Sequence, residues 1–343
     1  MIPYDDNGFR EAMKTTVRPW LEDTVTCGRF TSFDGAKICY YRALNPEARG
    51  VIVMVHGFCE FFGKFHETAY DLWESGYTVY FIEQRGHGGS DRSVSRLDYV
   101  DVEDFSDYVE DLKQMMDKVV LPETNGLVTR AAVAGSTGIR AAGKLPLLLY
   151  AHSMGGCVST LFLEKYPEYF RAAVLSSPML KMTFGSIPLW QVKTLMFVSR
   201  LLGWNEKTMP GQNGFDPEKP DFEGSASLSR ARFDYQWDLR ADPASGGIYT
   251  MNGGTYRWGR AAWKATQELL KGEEKITIPV LVCQAGLDYF VDNEGQDHFV
   301  KTAPNARLVR FPEAKHEIYG SEGETLERYY REVLGFYRTV TER

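Results

Sequence analysis

The sequence has few cysteines and no recognisable pattern among them. The chain of 343 residues contains five, with no C-x-x-C pair: Cys27, Cys39, Cys59, Cys157 and Cys283. An odd number of scattered cysteines indicates neither a disulfide framework nor a zinc site. We therefore expect no bound metal and a reducing compartment, which favours a cytoplasmic protein.

Basic charge and long apolar runs are also scarce. The formal net charge of -7 argues against a nucleic-acid partner, because phosphate binding requires a concentrated basic surface. The N-terminal "MIPYDDNGFREAMK" lacks the basic start and apolar core of a signal peptide. The most apolar stretch, residues 184–204, is interrupted by a proline, a glutamine and two basic residues, so no spanning helix is predicted. Peripheral contact of this stretch with a membrane stays open, although the acidic charge gives no attraction to anionic lipid.

Short β-rich runs alternate with longer helical patterns toward both ends of the chain. The predicted strands are 51–55, 78–82, 147–150, 172–176, 280–284 and 308–311, with an antiparallel edge hairpin at 24–44. Helical patterns cover about 65–75, 102–119, 155–166, 291–302 and 323–339. Strands that are continuously apolar are typical of a sheet buried on both faces. The order predicts an α/β fold with a mostly parallel central sheet flanked by helices.

Two segments interrupt this alternation. Residues 121–145 are rich in Gly, Ala and Thr, which favours a surface excursion before the strand at 147–150. Residues 178–272 are unlike either flank, and we interpret them as a helical cap over the carboxyl edge of the sheet. The expected domains are a core of residues 1–177 and 273–343 and a cap of residues 178–272.

Residues 148–160, "LLYAHSMGGCVST", combine an apolar strand, small residues around Ser153 and a helical pattern. A nucleophile elbow needs these parts, because its strand and helix cross within contact distance at the serine. The usual pattern is G-x-S-x-G, whereas Ala151 stands at the first glycine here, and its single methyl group keeps the crossing feasible. Such turns also occur for structural reasons alone. Whether Ser153 is a nucleophile therefore depends on whether the rest of the chain offers a base and an acid.

A serine nucleophile requires a base, and the chain has six histidines. His316 follows the strand at 308–311, in a loop at the carboxyl edge of the sheet, and comes after the serine in chain order. We therefore assign His316 as the base. The others fit glycine turns, helices or the position beside the serine better: His56, His66, His87, His152 and His298.

The acid is expected in a loop after an intervening strand. The stretch "AGLDYFVDN" offers Asp288 and Asp292. Asp288 lies nearer the strand end and is assigned as the acid, whereas Asp292 is interpreted as a helix-terminus residue or a supporting group. The order serine, aspartate, histidine, each just past a strand, favours a catalytic triad over solvated loop residues.

A tetrahedral intermediate needs hydrogen-bond donors for its oxyanion. Met154, directly after the serine, offers one backbone N–H, and Phe58 in "VHGFCEFFG" (55–63) offers the other. A second glycine-rich turn, "EQRGHGGSD" (83–91), lacks dinucleotide spacing and a phosphate-loop lysine. We interpret it as a structural loop that borders the site.

These motifs together resemble a known family. "HGFCEFFGKF", "EQRGHGGSDR", "YAHSMGGCV", "CQAGLDYFVDN" and "AKHEIYG" occur in the order found in α/β-hydrolases of the monoacylglycerol lipase and bacterial lysophospholipase group. The resemblance implies an α/β-hydrolase fold with a helical cap inserted before the acid-bearing strand. It also implies cleavage of carboxylic esters of monoacyl lipids, with Ser153, Asp288 and His316 as the triad and Phe58 and Met154 as oxyanion donors.

The expected protein is a serine hydrolase that acts on a small-molecule lipid ester through an acyl-enzyme, without a cofactor. A carboxylesterase of small esters and a serine aminopeptidase use the same triad and remain alternatives. An aminopeptidase would need carboxylates that converge on the substrate amine, and the cap offers Glu218, Asp221, Glu223, Asp238 and Asp242. A hydrolase-fold binding protein without catalysis is the remaining class. The sequence does not indicate an oligomeric state.

Overall fold

An eight-stranded sheet forms the centre of the computed structural model, which describes residues 1–125 and 144–342. The strands in these ranges are β1 (Val25–Thr31), β2 (Lys37–Ala43), β3 (Val51–Val55), β4 (Thr78–Glu83), β5 (Tyr99–Val100), β6 (Leu147–His152), β7 (Ala172–Ser176), β8 (Gly253–Gly254), β9 (Val280–Ala285) and β10 (Ala306–Phe311). The short β5 and β8 pair only with each other. All six predicted strands and both strands of the edge hairpin are confirmed.

The order of strands in the sheet is β1-β2-β4-β3-β6-β7-β9-β10. Strand β2 is antiparallel to both β1 and β4, and the remaining neighbours are parallel. Parallel strands end at the same edge of a sheet, where ligand sites of α/β folds lie. The loops that follow β3, β6, β9 and β10 therefore meet at this edge.

Helices cover both faces of the sheet. The helices in the described ranges are α1 (Asp6–Ala12), α2 (Arg18–Asp23), α3 (His66–Glu74), α4 (Phe105–Met115), α5 (Met154–Lys165), α6 (Leu189–Leu201), α7 (Arg230–Ala241), α8 (Tyr256–Leu269), α9 (Asn293–Thr302) and α10 (Gly323–Thr341). The five predicted helical patterns correspond to α3, α4, α5, α9 and α10. Helices α1 and α2 were not predicted, although Asp5 caps α1 by accepting bonds from the backbone N–H groups of Asn7 and Gly8.

Strand β3 shows how the sheet divides the core. Val51, Val53 and Val55 join a cluster with residues of α4, α5, α8 and α9. Ile52 and Met54 point the other way, into a cluster with residues of α1, α3 and α10. Because successive side chains of a strand alternate between faces, a fully apolar strand must be buried on both. The predicted burial on both faces is thus confirmed.

Residues between β7 and β9 include the predicted cap. This stretch forms α6, α7 and α8, and Ala262, Ala265 and Leu269 of α8 belong to the same buried cluster as α4 and α5. The division into a core and a cap at residues 178 and 272 stays a prediction. Residues 126–143, most of the predicted surface excursion, lie outside the described residues.

Glu273 is a buried carboxylate next to α8. Its exposed fraction is 1%, and neither carboxylate oxygen accepts a hydrogen bond from a described residue. The nearest basic group is Nε2 of His298, 3.5 Å from Oε2. Burial raises the pKa of Glu273 to about 7, with the charge of Glu274 adding to the effect, and burial likewise raises the pKa of Glu164 to about 8.

We expect Glu273→Gln to stabilise the protein at alkaline pH. The folded state holds the proton of Glu273 more tightly than the unfolded state does, so its ionisation destabilises the fold as pH rises from about 4.5 to above 7. The free energy of unfolding at about pH 8 should rise by on the order of 1 kcal/mol in the variant. Urea unfolding at about pH 4.5 and pH 8 measures the effect.

The matched control is Glu11→Gln, which removes an exposed carboxylate from α1. It should change stability little at either pH. An equal gain from Glu273→Gln at both pH values would contradict an ionisation effect.

Candidate active site

Ser153 lies in the sharp turn between β6 and α5. Its backbone has φ 51° and ψ -119°, a conformation that residues other than glycine rarely adopt. Four backbone bonds hold it. Ser153 N donates to Ser176 O at 3.1 Å, and Ser153 O accepts from Gly156 N and Met179 N, each at 2.8 Å, and from Cys157 N at 3.4 Å. Strained backbone persists only where the surroundings fix it, and this strain lifts the hydroxyl above the sheet edge.

Small residues allow helix α5 to approach the sheet at this turn. A Cβ atom on Gly155 would lie 2.3 Å from Val55 O, and one on Gly156 would lie 2.4 Å from Cβ of Pro178. Ala151, by contrast, is fully buried among the apolar side chains of one sheet face, and its strand partners are Val55 and Leu175. The alanine that departs from the usual pattern therefore occupies a core position that accepts a methyl group.

Ser153, His316 and Asp288 form a continuous chain of hydrogen bonds. Ser153 Oγ lies 2.8 Å from His316 Nε2, and His316 Nδ1 lies 2.6 Å from Asp288 Oδ2. A carboxylate accepts only, so Nδ1 carries the proton and Nε2 accepts from the serine hydroxyl. The second oxygen of Asp288 accepts from the backbone N–H groups of Phe290 and Val291, which fixes the carboxylate.

The alternative acid, Asp292, lies elsewhere. Its side chain accepts a bond from Glu294 N at the start of α9 and pairs with Lys181 Nζ at 2.6 Å. This is the helix-terminus position that we expected for it. The loops after β6, β9 and β10 thus bring together the three residues assigned from the sequence, and their side chains are at most 8% exposed.

The two assigned oxyanion donors are backbone N–H groups close to Ser153. Met154 is the first residue of α5, so its N–H has no acceptor one turn earlier in the helix, and the helix dipole adds positive potential there. Within the described ranges, no residue accepts a bond from Phe58 N. The loop before Phe58 lies close to Ser153, because a Cβ on Gly57 would be 2.9 Å from Ser153 Cβ.

Two neutral histidines hold the loop of Phe58. Gln84 N donates to His56 Nε2 at 3.0 Å, and Cys59 N donates to His87 Nε2 at 3.2 Å. Burial lowers the pKa of His56 to about 4 and lowers that of His87 well below its ordinary value, so both rings are free to accept. The turn at 83–91 therefore borders the site through His87.

Sequence reasoning missed a set of buried charges below the triad. Glu60, Lys64 and Glu317 lie within the sequence motifs of the site, but no function was predicted for them. His152 was considered only as a possible base and set aside. Glu60 contacts both His152 and Lys64. The available signal was a run of ionisable residues inside otherwise apolar motifs, since buried charges occur in pairs or clusters.

A mostly parallel sheet with a strained serine turn after a central strand is the architecture of an α/β-hydrolase. Solved structures of this fold superimpose on the chain. A soluble variant of monoglyceride lipase from Saccharomyces cerevisiae, in complex with a substrate analog, matches with a TM-score of 0.69 and 18% identity over 92% of this chain and 96% of that one.

A family model described as serine aminopeptidase, S33, matches residues 46–323. The chain therefore belongs to this family of hydrolases. It is 28% identical to the probable lysophospholipase L2 of Haemophilus influenzae over 286 residues, which is 82% of each chain. It is 30% identical to the monoacylglycerol lipase of Mycolicibacterium smegmatis over 301 residues, covering 87% of this chain and 92% of the relative.

We expect Gly155→Ala to impair both the elbow and the fold. The added methyl group would meet the backbone oxygens of Val55 and His56, which cannot move without shifting β3. Stability should fall by about 1 to 3 kcal/mol. A shift of the serine on the order of 1 Å should lower kcat for a p-nitrophenyl ester by about 100-fold.

Gly335→Ala is the matched control, because a Cβ at that position in α10 would meet no atom within 4 Å. Thermal unfolding and ester turnover are measured for both variants. Normal turnover in Gly155→Ala would contradict the close crossing described above.

Proposed function

We propose that the chain is a serine hydrolase that cleaves carboxylic esters of monoacyl lipids through an acyl-enzyme on Ser153. The observation that carries this proposal is the hydrogen-bonded chain from Ser153 Oγ through the ring of His316 to Asp288. A hydroxyl, a base and an orienting carboxylate at these distances are the requirements of nucleophilic acyl transfer.

In the proposed reaction, His316 Nε2 accepts the serine proton as Ser153 Oγ attacks the acyl carbon. The backbone N–H groups of Phe58 and Met154 donate to the oxyanion of the tetrahedral intermediate. His316 then returns the proton to the leaving alcohol, and Asp288 stabilises the imidazolium in between. Water, activated by the same base, hydrolyses the acyl-enzyme. No cofactor is required by this sequence of steps.

The lipid substrate is supported by the relatives named lysophospholipase and monoacylglycerol lipase, which match over most of their length. Both names describe esters that carry one acyl chain. We therefore propose a monoacyl lipid ester as the substrate class. The aminopeptidase alternative gains no support from the acidic residues considered for it, because all five are exposed: Glu218, Asp221, Glu223, Asp238 and Asp242.

Helix α6 supports a finer proposal about how such a substrate is reached. Trp190, Phe197 and Leu201 are 65%, 62% and 69% exposed, and their spacing of seven and four residues aligns them on one face of the helix. No helix in the described residues is both long and apolar enough to span a membrane. We propose that this face contacts the lipid surface that contains the substrate, while a cytoplasmic location stays a prediction.

We expect Ser153→Ala to lower kcat for lysophosphatidylcholine and monoacylglycerol by on the order of 10⁶-fold, because a triad acts as a unit. His316→Ala should behave similarly. Release of fatty acid is the measurement, with an aminoacyl p-nitroanilide assayed in parallel. Wild-type protein should cleave the lipid esters and leave the anilide intact.

His298→Ala is the matched control, since this histidine is half-exposed and pairs with Glu273 rather than with a residue of the triad. It should retain wild-type turnover. Labelling of the wild type by a fluorophosphonate should vanish in Ser153→Ala. Near-normal turnover in Ser153→Ala would exclude the proposed nucleophile, and absence of both labelling and turnover in the wild type would favour a binding protein.

We expect the triple variant Trp190→Ser, Phe197→Ser and Leu201→Ser to lose affinity for vesicles of phosphatidylcholine. Each large apolar side chain removed from the membrane contact lowers binding by about 1 kcal/mol or more. Turnover of substrate embedded in vesicles should fall, while turnover of soluble p-nitrophenyl butyrate should not.

The control for this variant is Phe33→Ser, which removes an exposed apolar ring from the β1–β2 turn. It should bind vesicles as the wild type does. Equal vesicle binding by the triple variant and the wild type would contradict the proposed contact.

A further inference from the structure

A cluster of buried ionisable side chains lies directly behind the triad. Glu60, His152 and Glu317 are at most 6% exposed, and the side chain of Lys64 is 12% exposed. Charges removed from water are costly unless they are paired and hydrogen-bonded. The contacts within the cluster show what each charge is paired with.

The carboxylate of Glu60 connects three separate segments. Its Oε2 accepts from Gly57 N at 2.5 Å and from His152 Nδ1 at 3.0 Å. Its Oε1 accepts from the hydroxyl of Tyr319 at 2.7 Å, and Lys64 Nζ lies 3.2 Å away. One side chain thus joins the loop after β3, the end of β6 and the turn after the catalytic histidine.

The bond from Gly57 N to Glu60 restrains the backbone next to the assigned oxyanion donor, Phe58 N. The peptide group that contains Gly57 N and the one that contains Phe58 N are joined at the Cα of Gly57. Fixing one peptide plane restricts the next to rotation about two dihedrals. A Cβ on Gly57 would lie 2.8 Å from Glu60 Oε2 and 2.9 Å from Ser153 Cβ, so the loop is confined between the carboxylate and the nucleophile.

The bond to His152 bears on the catalytic base. Nδ1 of this ring faces the Glu60 carboxylate, and Nε2 lies 3.4 Å from the carbonyl oxygen of His316. Both partners are acceptors, and an imidazole can donate from both nitrogens only when it is protonated. Burial opposes that charge, but the charge and hydrogen bond of Glu60 outweigh it and raise the pKa of His152.

The charges within the cluster balance. Lys64 forms a short ion pair with Glu317, the residue after the base, in addition to its contact with Glu60. Burial alone would raise the pKa of Glu60, but His152 and Lys64 hold that pKa well below its ordinary value. Two cations, His152 and Lys64, therefore face two carboxylates, Glu60 and Glu317.

We propose that Glu60 is a positioning residue, which orients the Phe58 oxyanion donor directly and the backbone of His316 through a protonated His152. This inference rests on the proposed hydrolase function. A purely structural carboxylate would affect stability alone. A positioning carboxylate also affects transition-state binding, because oxyanion donors act only on the charge that develops during the reaction.

The test uses Glu60→Gln, which retains the size of the side chain and removes its charge. For p-nitrophenyl butyrate, kcat should fall by about 10- to 100-fold with KM within about two-fold of the wild type, because loss of one oxyanion donor costs about 100- to 1000-fold. Affinity for a trifluoromethyl ketone, which mimics the tetrahedral adduct, should fall by the same factor as kcat/KM. Fluorophosphonate titration counts the folded active sites in each preparation.

Tyr319→Phe provides a second test, because it removes only the hydroxyl that Glu60 accepts from. It should lower kcat by a smaller factor at constant KM. If Tyr319 acts through the carboxylate of Glu60, the decrease in kcat in the double variant should be smaller than the two single decreases combined. This variant carries the test alone if Glu60→Gln does not fold.

The matched control is Glu67→Gln. Glu67 is also buried and paired, with Arg232 Nη2 at 2.6 Å from its Oε1, but no hydrogen bond or ion pair among the described residues links it to the triad. It should lower the melting temperature and leave kcat per titrated site unchanged. Unchanged kcat and ketone affinity in Glu60→Gln, or in Tyr319→Phe where that variant carries the test, would overturn the inference. Either result would leave the proposed function standing, because that function is tested separately by the loss of turnover and labelling in Ser153→Ala.

Discussion

The strained backbone of Ser153 is the constraint on which the rest of the site depends. Its positive φ turns the hydroxyl away from the sheet. The strain is tolerated because bonds to Ser176, Gly156 and Met179 fix the two peptide groups that flank the Cα of Ser153. Helix α5 can start there only because Gly155 allows contact with the backbone of β3. The same crossing brings the α5 N-terminus and the loop before Phe58 close to Ser153.

Protonation states of the surrounding histidines follow from their neighbours. His56 and His87 are buried without a carboxylate contact and accept backbone bonds as neutral rings. His152 is equally buried but faces Glu60, which raises its pKa. Burial favours the neutral ring in all three, and the adjacent carboxylate raises the pKa of His152 alone.

Much of the fold could be predicted because its signals are local. Continuous apolar runs such as 51–55 identify strands buried on both faces, and the chain order of strands and helices indicates a parallel sheet. The residues of the site could be proposed because each of Ser153, Asp288 and His316 directly follows a strand, and parallel strands end at one edge. From the sequence, Ala151 could be interpreted only as a tolerated substitution for glycine. The structure shows that its methyl group is buried in the core.

The partners of long-range polar contacts could not be predicted in this way. Glu60 and Tyr319 are 259 residues apart in sequence, and no periodic pattern relates them. The packing of α8 against α4 and α5 is equally a property of the folded chain, since its alanine-rich face would suit a cap as well as a core. The short α1 and α2 lack a long amphipathic repeat, so the only local signals are the cap at Asp5 for α1 and Pro19 in the first turn of α2.

In the proposed reaction an acyl group is transferred to Ser153. Rapid acid quench of the wild type with a monoacyl lipid ester, followed by trypsin, tests it directly, because cleavage after Lys144 and Lys165 releases residues 145–165 as one peptide. We expect this peptide to gain the mass of the acyl group, located on Ser153. An acyl group on a different peptide, or a burst of alcohol product with residues 145–165 unmodified, would contradict it.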